Sequence, residues 1–166
     1  RTLVIAYASG NIDLMTSDGI YNLPFLKNTT NIQDKTLNAI DLSGDRAYLS
    51  ANFGILVIDL KKREVAETYR LDRPTTATAL LAGSIYAATD SGLLSAPTTA
   101  NLMDVGNWKR VSLNSLDFDD QKIVGLGAFR DRLCFVASGG GLFYRDTDGS
   151  IKTLRKQTNL RGLTVV

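Results

Sequence analysis

Histidine is absent from this 166-residue sequence, and cysteine occurs only once. Without histidine, the Ser-His-Asp triads and Cys-His pairs of hydrolases are excluded, together with the commonest metal ligand. One cysteine and no histidine also exclude the usual zinc sites. The single thiol, Cys134, lies in the apolar run 133–136, so the chain can form no internal disulfide and we expect a buried, inert cysteine.

Long apolar runs and charge imbalance are lacking as well. No stretch approaches the roughly 20 apolar residues of a transmembrane helix, and no signal peptide is recognisable. Nineteen basic and 17 acidic residues leave a net charge of +2, which does not favour nucleic acid as a partner. The basic cluster 61–63 is followed by Glu64 and reads as a solvated hairpin tip. Because the chain begins at Arg1 rather than Met, we expect a mature or excised piece of a longer protein.

What the chain does contain is a stretch that recurs around a glycine. In each copy a bulky residue precedes the glycine by six positions, a small residue precedes it by four, and an apolar run follows it. The four glycines are Gly10, Gly54, Gly92 and Gly141, and the small residues are Ala6, Ser50, Ala88 and Ala137. This pattern predicts two strands joined by a tight turn in which glycine adopts a positive φ.

Further short strands are predicted on both sides of each pair, which gives a unit of four antiparallel strands in roughly 40 residues. Such a unit is typical of a β-propeller blade. The sequence therefore predicts an all-β protein, a single β-propeller domain or fragment with about four blades. The predicted blades are 160–166 combined with 1–26, then 37–71, 77–113 and 123–155. Residues 99–107 could hold one helical turn.

The two ends of the chain predict complementary parts of one blade. Residues 1–26 supply its last three strands, and residues 160–166 have the character of its first strand. The chain is therefore either a small closed ring or a slice of a larger propeller. A slice has free blade edges, which tend to pair, so we predict self-association unless residues 160–166 close onto the N-terminal strands.

Several stretches resemble the N-terminal β-propeller of PorZ-type proteins of Bacteroidetes. The matching stretches are GNIDL at 10–14, FGI at 53–55, NLMD at 101–104 and NW at 107–108. These proteins are similar to the ligand-sensing propellers of hybrid two-component regulators. The resemblance implies an exported protein, periplasmic or at the outer cell surface. It also implies service to a type IX secretion system that attaches substrates to the cell surface, and binding of anionic lipopolysaccharide.

The candidate chemical motifs favour structural interpretations. Asp117, Asp119 and Asp120 fit a solvated loop better than a calcium site, since their spacing matches no calcium loop. Residues 145–149 predict a hairpin turn. The glycines at 139–141 predict a turn rather than a phosphate cradle, because a strand follows them where a helix would be needed. We expect Trp108 to pack between neighbouring blades.

Three functional hypotheses remain. The first is a non-catalytic binding scaffold in the cell envelope. Propellers present loops from many blades on one flat face, so we expect the variable segments 27–36 and 97–107 to contact a protein or glycan partner from such a face. The alternative is a ligand-sensing propeller of a two-component-type regulator. An enzyme is disfavoured, because no acid–base constellation or carboxylate pair is present. The sequence predicts no catalytic, metal-binding or cofactor-binding residue.

Overall fold

The computed structural model describes residues 1–113, 122–156, 160 and 163. These residues form antiparallel β-sheets with two short helical turns, α1 (Phe25–Asn28) and a 3₁₀ turn at Val105–Asn107. The all-β prediction is confirmed, and the 3₁₀ turn lies within the segment 99–107 that was expected to hold one. The turn α1 was not predicted. Among the described residues, no helix combines the length and apolar character needed to cross a bilayer.

The strands belong to four sheets, numbered I to IV along the chain. Sheet I contains β1 (Leu3–Ala6), β2 (Ile12–Thr16) and β3 (Gly19–Leu23). Sheet II contains β4 (Leu37–Ser43), β5 (Arg46–Ala51), β6 (Gly54–Asp59) and β7 (Glu64–Arg70). Sheet III contains β8 (Thr75–Leu81), β9 (Ser84–Thr89), β10 (Gly92–Pro97) and β11 (Lys109–Arg110). Sheet IV contains β12 (Ile123–Phe129), β13 (Arg132–Ala137), β14 (Leu142–Arg145) and β15 (Ile151–Arg155).

Within each sheet, the strands lie side by side in chain order. The first strands of sheets II, III and IV pack next to one another, β4 beside β8 and β8 beside β12. We call these three the inner strands, because the sheets fan outward from them as blades do from an axis. The fold is thus an open, propeller-like slice, which is one of the two forms that the sequence left open. Most of segment 160–166, predicted as a further inner strand, lies outside the described residues.

The inner strands share two local features. Each has a β-bulge at its second residue, where the register to the neighbouring strand shifts: Asn38, Thr76 and Val124. The next residue is small in every case: Ala39, Ala77 and Gly125. A bulge adds twist to a strand, and a small side chain permits close approach at the crowded axis. The added twist and the small side chain together allow these three strands to lie innermost in the fold.

The glycine turns are of two lengths, which corrects the repeat alignment. Gly54 is opposite Ala51, and Gly92 is opposite Thr89, across two-residue turns. Sheets I and IV instead have the longer loops 8–10 and 138–140. Consequently Asn11, whose carbonyl accepts from the Tyr7 amide at 3.0 Å, stands where sheet II has Gly54. All four glycines of the motif do adopt a positive φ.

The hydrophobic core formed by the described residues consists of three clusters, each between neighbouring sheets. The first joins sheets I and II, the second joins II and III, and the third joins III and IV. Phe135 and Phe143 stack in the third cluster with ring centroids 5.5 Å apart. Burying a large apolar side chain contributes about 1.5–3 kcal/mol, so face-to-face packing of sheets stabilises the slice. No cluster among the described residues joins sheet IV to sheet I.

Candidate binding surface

The two segments predicted to carry contacts lie at opposite ends of the sheets. The Asn52 side chain, in the turn between β5 and β6, donates to Asp34 at 2.7 Å. The Thr98 amide donates to the Gly83 carbonyl, in the turn between β8 and β9, at 2.9 Å. The turn between β8 and β9 precedes the second strand of its sheet, whereas the turn between β5 and β6 follows the second strand of its sheet. The two turns therefore occupy opposite ends of that strand. Asn38 donates to the Thr75 carbonyl at 2.8 Å, so the first residues of β4 and β8 are neighbours. The strands of sheets II and III are therefore oriented in the same way, and corresponding turns lie at the same end of the fold.

We call the end where the inner strands begin the entry end, and the other the exit end. The entry end carries 24–36, 52–53, 90–91 and 138–141, and the exit end carries 44–45, 60–63, 82–83, 98–108 and 146–150. The prediction that segments 27–36 and 97–107 share one face is therefore wrong. Neighbouring strands in an antiparallel sheet run in opposite directions. The link from one sheet to the next therefore lies at the entry end, whereas the link from the third strand to the fourth lies at the exit end.

The entry-end loop 24–36 is fixed in place by buried anchors and hydrogen bonds. Leu26 is fully buried and Ile32 almost so. The Arg70 guanidinium donates to the Asn31 carbonyl at 2.7 Å, and the Lys35 ammonium donates to the Lys27 carbonyl at 2.7 Å. The loop therefore presents its polar groups from a prearranged backbone, which lowers the ordering cost of binding.

A row of amide and carboxylate side chains crosses the entry end. Asn38 donates to Asn52 at 2.9 Å, and Asn52 donates to Asp34 at 2.7 Å. Hydrogen bonds from Asn52 and Thr36 hold the pKa of Asp34 below its usual value, so this carboxylate is ionised over the physiological range. Two exposed cations belong to segments at this end, Lys27 in the loop 24–36 and Arg73 in the link between β7 and β8. Arg73 donates to Ser91 at 3.0 Å.

Sheet I carries a second polar cluster on its outward face. Asn22 donates to Asp13 at 2.7 Å and to Asn11 at 2.9 Å. The Tyr7 hydroxyl donates to Asp13 at 2.8 Å. These bonds, led by that from Asn22, lower the pKa of Asp13, while the bond to Asp13 raises the pKa of Tyr7.

The polar side chains of the exit-end loop 98–108 bond to the loop's own backbone. The Asp104 carboxylate accepts from the Gly106 amide at 2.9 Å, and the Asn107 side chain donates to the Asn101 carbonyl at 3.0 Å. Trp108 is 6% exposed in the core between sheets II and III, and its indole N–H donates to the Leu102 carbonyl at 3.0 Å. The prediction that this tryptophan packs between blades is confirmed.

The basic tip 61–63 is not wholly solvated. Arg63 reaches across to sheet I, where its guanidinium lies 2.9 Å from the Asp18 carboxylate and 3.8 Å from the centroid of the Tyr21 ring. Hydrogen bonds from Thr16, Tyr21 and Arg63 hold the pKa of Asp18 well below its usual range. This contact ties the outer rims of sheets I and II together.

A cavity of about 240 Å³ lies on the axis between the inner strands. Its lining includes Ile40, Asp41, Thr78, Leu126 and Leu163. Burial raises the pKa of Asp41 to about 6. Among the described residues that line this cavity, Asp41 is the acidic one, and its carboxyl group can accept a hydrogen bond or pair with the positive charge of a small ligand.

The other sequence motifs have structural roles where they are described. Cys134 is buried and free, and burial raises its thiol pKa, as expected of an inert cysteine. Gly141 leads directly into β14, so residues 139–141 form a turn. The segment 145–149 is a hairpin connection in which the Gly149 amide donates to the Asp146 carbonyl at 3.0 Å.

The acidic cluster Asp117, Asp119 and Asp120 lies outside the described residues. Within 1–113 and 122–156, no group of three potential metal ligands is found. Sequence reasoning missed the entry-end row and the sheet I cluster. The signal was available in part, because Asn11 and Asp13 alternate with apolar residues and so share one strand face. Their partner Asn22 depends on cross-strand register, which the sequence did not fix.

A protein-family model described as the N-terminal β-propeller domain of PorZ, of the type IX secretion system, matches residues 1–109. The solved structure of PorZ from Porphyromonas gingivalis is 31% identical, with a TM-score of 0.84. It is described as an essential bacterial surface component of that system. The match covers 95% of this chain and 21% of that chain, so the present chain spans about a fifth of that protein's length. No curated protein matches the chain in sequence.

Two more distant structures share the fold alone. BamB from Moraxella catarrhalis is 14% identical with a TM-score of 0.63, over 100% of this chain and 50% of that one. The extracellular domain of a putative one-component system, BT4673 from B. thetaiotaomicron, is 12% identical with a TM-score of 0.58. That match covers 95% of this chain and 22% of the other.

Proposed function

The chain belongs to the PorZ N-terminal β-propeller family, and from that premise we propose that it is a non-catalytic binding module of a cell-surface protein of a type IX secretion system. The proposal is supported by the similar PorZ structure, which is described as a surface component. It is also supported by the entry end, where a firmly anchored polar loop presents exposed groups.

The partner we propose for the entry end is the anionic glycan of lipopolysaccharide. Lys27 and Arg73 supply positive charge there, and the Asp34–Asn52–Asn38 row supplies amide donors and carboxylate acceptors for sugar hydroxyls. The loop 24–36 holds these groups on buried Leu26 and Ile32. Charge attraction at an exposed surface is screened by salt, so binding should weaken as ionic strength rises.

The test compares charge reversal at the two ends of the sheets. Vesicles containing lipopolysaccharide and neutral vesicles are sedimented with the chain across a salt series. We expect salt-sensitive binding to the first alone, and Lys27→Glu with Arg73→Glu should weaken it by about tenfold, equivalent to about 1.4 kcal/mol. The matched control, Lys61→Glu with Lys62→Glu at the exit end, should bind like the parent. Equal loss in both double variants would refute an entry-end site.

The second candidate is a sensor that binds a small ligand in the axial cavity. The cavity of about 240 Å³ and its Asp41 carboxylate favour this hypothesis. A ligand that binds only the folded state raises the melting temperature, so screening sugars and amines by thermal shift is the measurement. A shift that Asp41→Asn abolishes supports the sensor, whereas a shift retained by that variant places the ligand elsewhere.

A further inference from the structure

One guanidinium in sheet IV has no ionic partner within the part of the chain that is described. The Nε atom of Arg145 is buried and makes no hydrogen bond to any described residue. Neighbouring cations of the same sheet differ, because Arg132 and Lys152 reach the Asp146 carboxylate at 3.5 and 3.0 Å. A buried donor without an acceptor costs free energy, and the cost is greater for a charged group. An anionic ligand at Arg145 would remove that cost.

Strand alternation explains why Arg145 stays apart from Asp146. Arg145 is opposite Leu133 and Ile151 in the sheet. Leu133 belongs to the core cluster between sheets III and IV, and Ile151 packs against that cluster. Side chains directly opposite one another share a face, so the Arg145 guanidinium lies on the face toward sheet III. Lys152 is the next residue after Ile151, so it reaches Asp146 from the other face.

The space between sheets III and IV, which we call the seam, widens toward the rim. The two sheets pack closely along the inner strands β8 and β12 and fan outward from there. Arg145 is the last residue of β14, the third strand from the axis, so it faces the wide, exit-end part of the seam. Its side chain is half-buried. The guanidinium is therefore accessible to a ligand that enters from the rim.

Sheet III contributes a basic and hydroxyl-bearing row to the seam. Ser95 in β10 is opposite Tyr86 in β9 and Lys109 in β11, and Tyr86 packs on the core cluster between the two sheets. All three side chains therefore lie on the face toward sheet IV. The Lys109 ammonium donates to the Gly106 carbonyl at 2.7 Å, which holds this charge at the exit end. Because this row contains no carboxylate, it adds to the positive charge of Arg145.

The hairpin connection after β14 places a hydroxyl beside the guanidinium. A Cβ on Gly149 would lie 3.2 Å from Nη2 of Arg145, so the lack of a side chain there leaves room for the guanidinium. The next residue, Ser150, has a buried hydroxyl that makes no hydrogen bond of normal geometry to any described residue. The Ser150 side chain lowers the pKa of the Asp148 carboxyl. Asp148 is therefore the acceptor with which a ligand competes for the Ser150 proton.

We propose that Arg145 is the centre of an oxyanion-binding site in the seam between sheets III and IV. The Nε–H and Nη–H groups of the guanidinium donate to two oxygens of one phosphate or carboxylate group, in the bidentate geometry that arginine favours. Ser150 donates its hydroxyl proton to the same group, and Lys109 adds a second positive charge. The site goes beyond the glycan surface proposed above, because it lies at the opposite end of the sheets.

Nitrogen–proton NMR of the arginine Nε–H groups tests the site in the unsubstituted chain. The probes are sodium phosphate and sodium acetate, each compared with sodium chloride at the same ionic strength. We expect an oxyanion to shift the Arg145 Nε–H resonance in a saturable manner and to slow its hydrogen exchange, whereas chloride leaves it unchanged. The probe that binds more tightly identifies the ligand group as phosphate or carboxylate. An Arg145 resonance that neither oxyanion moves, or that chloride moves equally, overturns the proposal.

Substitutions distinguish this site from general charge attraction. Arg145→Gln should weaken oxyanion binding by at least about tenfold, the size expected when hydrogen bonds to a charged group are lost. Arg145→Lys should weaken it as well, since an ammonium keeps the charge but lacks the planar fork. The matched control is Arg132→Gln, which removes a guanidinium of the same sheet that already pairs with Asp146 and should bind like the parent. Equal losses in Arg145→Gln and Arg132→Gln overturn the proposal.

Removal of the competing acceptor gives a readout that a purely structural Arg145 would not change. Asp148→Asn should tighten oxyanion binding, because it removes a negative charge beside the site and weakens the hold on the Ser150 proton. Ser150→Ala should weaken binding, and unchanged affinity in both variants overturns the assignment of Ser150 to the site. The entry-end double variant Lys27→Glu with Arg73→Glu should keep full phosphate or acetate binding, so the entry-end and seam proposals fail independently.

Discussion

Sheets III and I are built from the same repeat but differ in what surrounds them. Sheet III lies between two neighbouring sheets, and Ala87 and Ala88 in its second strand are fully buried. Among the described residues, sheet I has one neighbouring sheet and three strands, and Leu3 in the equivalent strand is exposed. The comparison teaches that the repeat specifies a strand and its turn, while burial of that strand depends on the sheet on either side.

The largest expected difference concerns one aliphatic position in two sheets. Leu49 in β5 and Ile5 in β1 are equivalent by register, but Leu49 is fully buried and Ile5 is not. Leu49→Ala should reduce the free energy of unfolding by about 2–5 kcal/mol, through lost burial and a cavity. Ile5→Ala should cost less than half as much. Urea unfolding of both variants gives the comparison, and equal losses would mean that sheet I is as enclosed as sheet II.

The second difference concerns the first residue after the turn that joins the second and third strands of a sheet, which is Gly54 in sheet II. A Cβ on Gly54 would lie 2.1 Å from the Tyr69 carbonyl oxygen, at a φ of +133°. Gly54→Ala should therefore destabilise the fold by about 1–3 kcal/mol. The equivalent residue of sheet I is already Asn11, so Asn11→Ala should have little effect on thermal unfolding. A stable Gly54→Ala variant would show that β7 can move away from the turn.

The third difference lies among the inner strands. The position that holds Asp41 in β4 holds Ala79 in β8 and Gly127 in β12. Its pKa is raised from 3.8 to about 6 by burial, so the folded state holds a proton that the unfolded state releases. Stability should therefore fall as pH rises between these values, and Asp41→Asn should remove that loss. Melting temperatures measured against pH, with Asp45→Asn as an exposed control, test the sign.

The smallest effect is expected at the rim contact between sheets I and II. The lowered pKa of Asp18 means that its contribution to stability is present above its unfolded value of 3.8 and is lost as pH falls below it. Arg63→Met should reduce this acid sensitivity slightly. Lys62→Met is the control, because its ammonium lies 3.9 Å from the nearest acidic oxygen, on neighbouring Glu64. Identical acid profiles for the two variants would assign no stabilising role to the contact.

Much of the fold could be predicted from the sequence, but less of the binding surface. The repeat of strand, small residue and glycine predicted the sheets, because alternation and turn chemistry are local. Asp34 and Asn52 escaped notice because eighteen positions separate them and a turn of another sheet brings them together. The shared face expected for segments 27–36 and 97–107 was wrong, since it required knowing from which end of the sheet each loop leaves.

The sequence by itself determined that this chain forms short antiparallel strands, that Gly54 and Gly92 begin the third strand of their sheets, and that histidine-dependent chemistry is absent. These properties depend on neighbouring residues and on residue identity. Only the tertiary structure decided that Ile40 is exposed while Thr78 is covered, and that Asp41 carries a raised pKa. Exposure and desolvation depend on what the adjacent sheet places over a side chain, and that information is spread over residues distant in the chain.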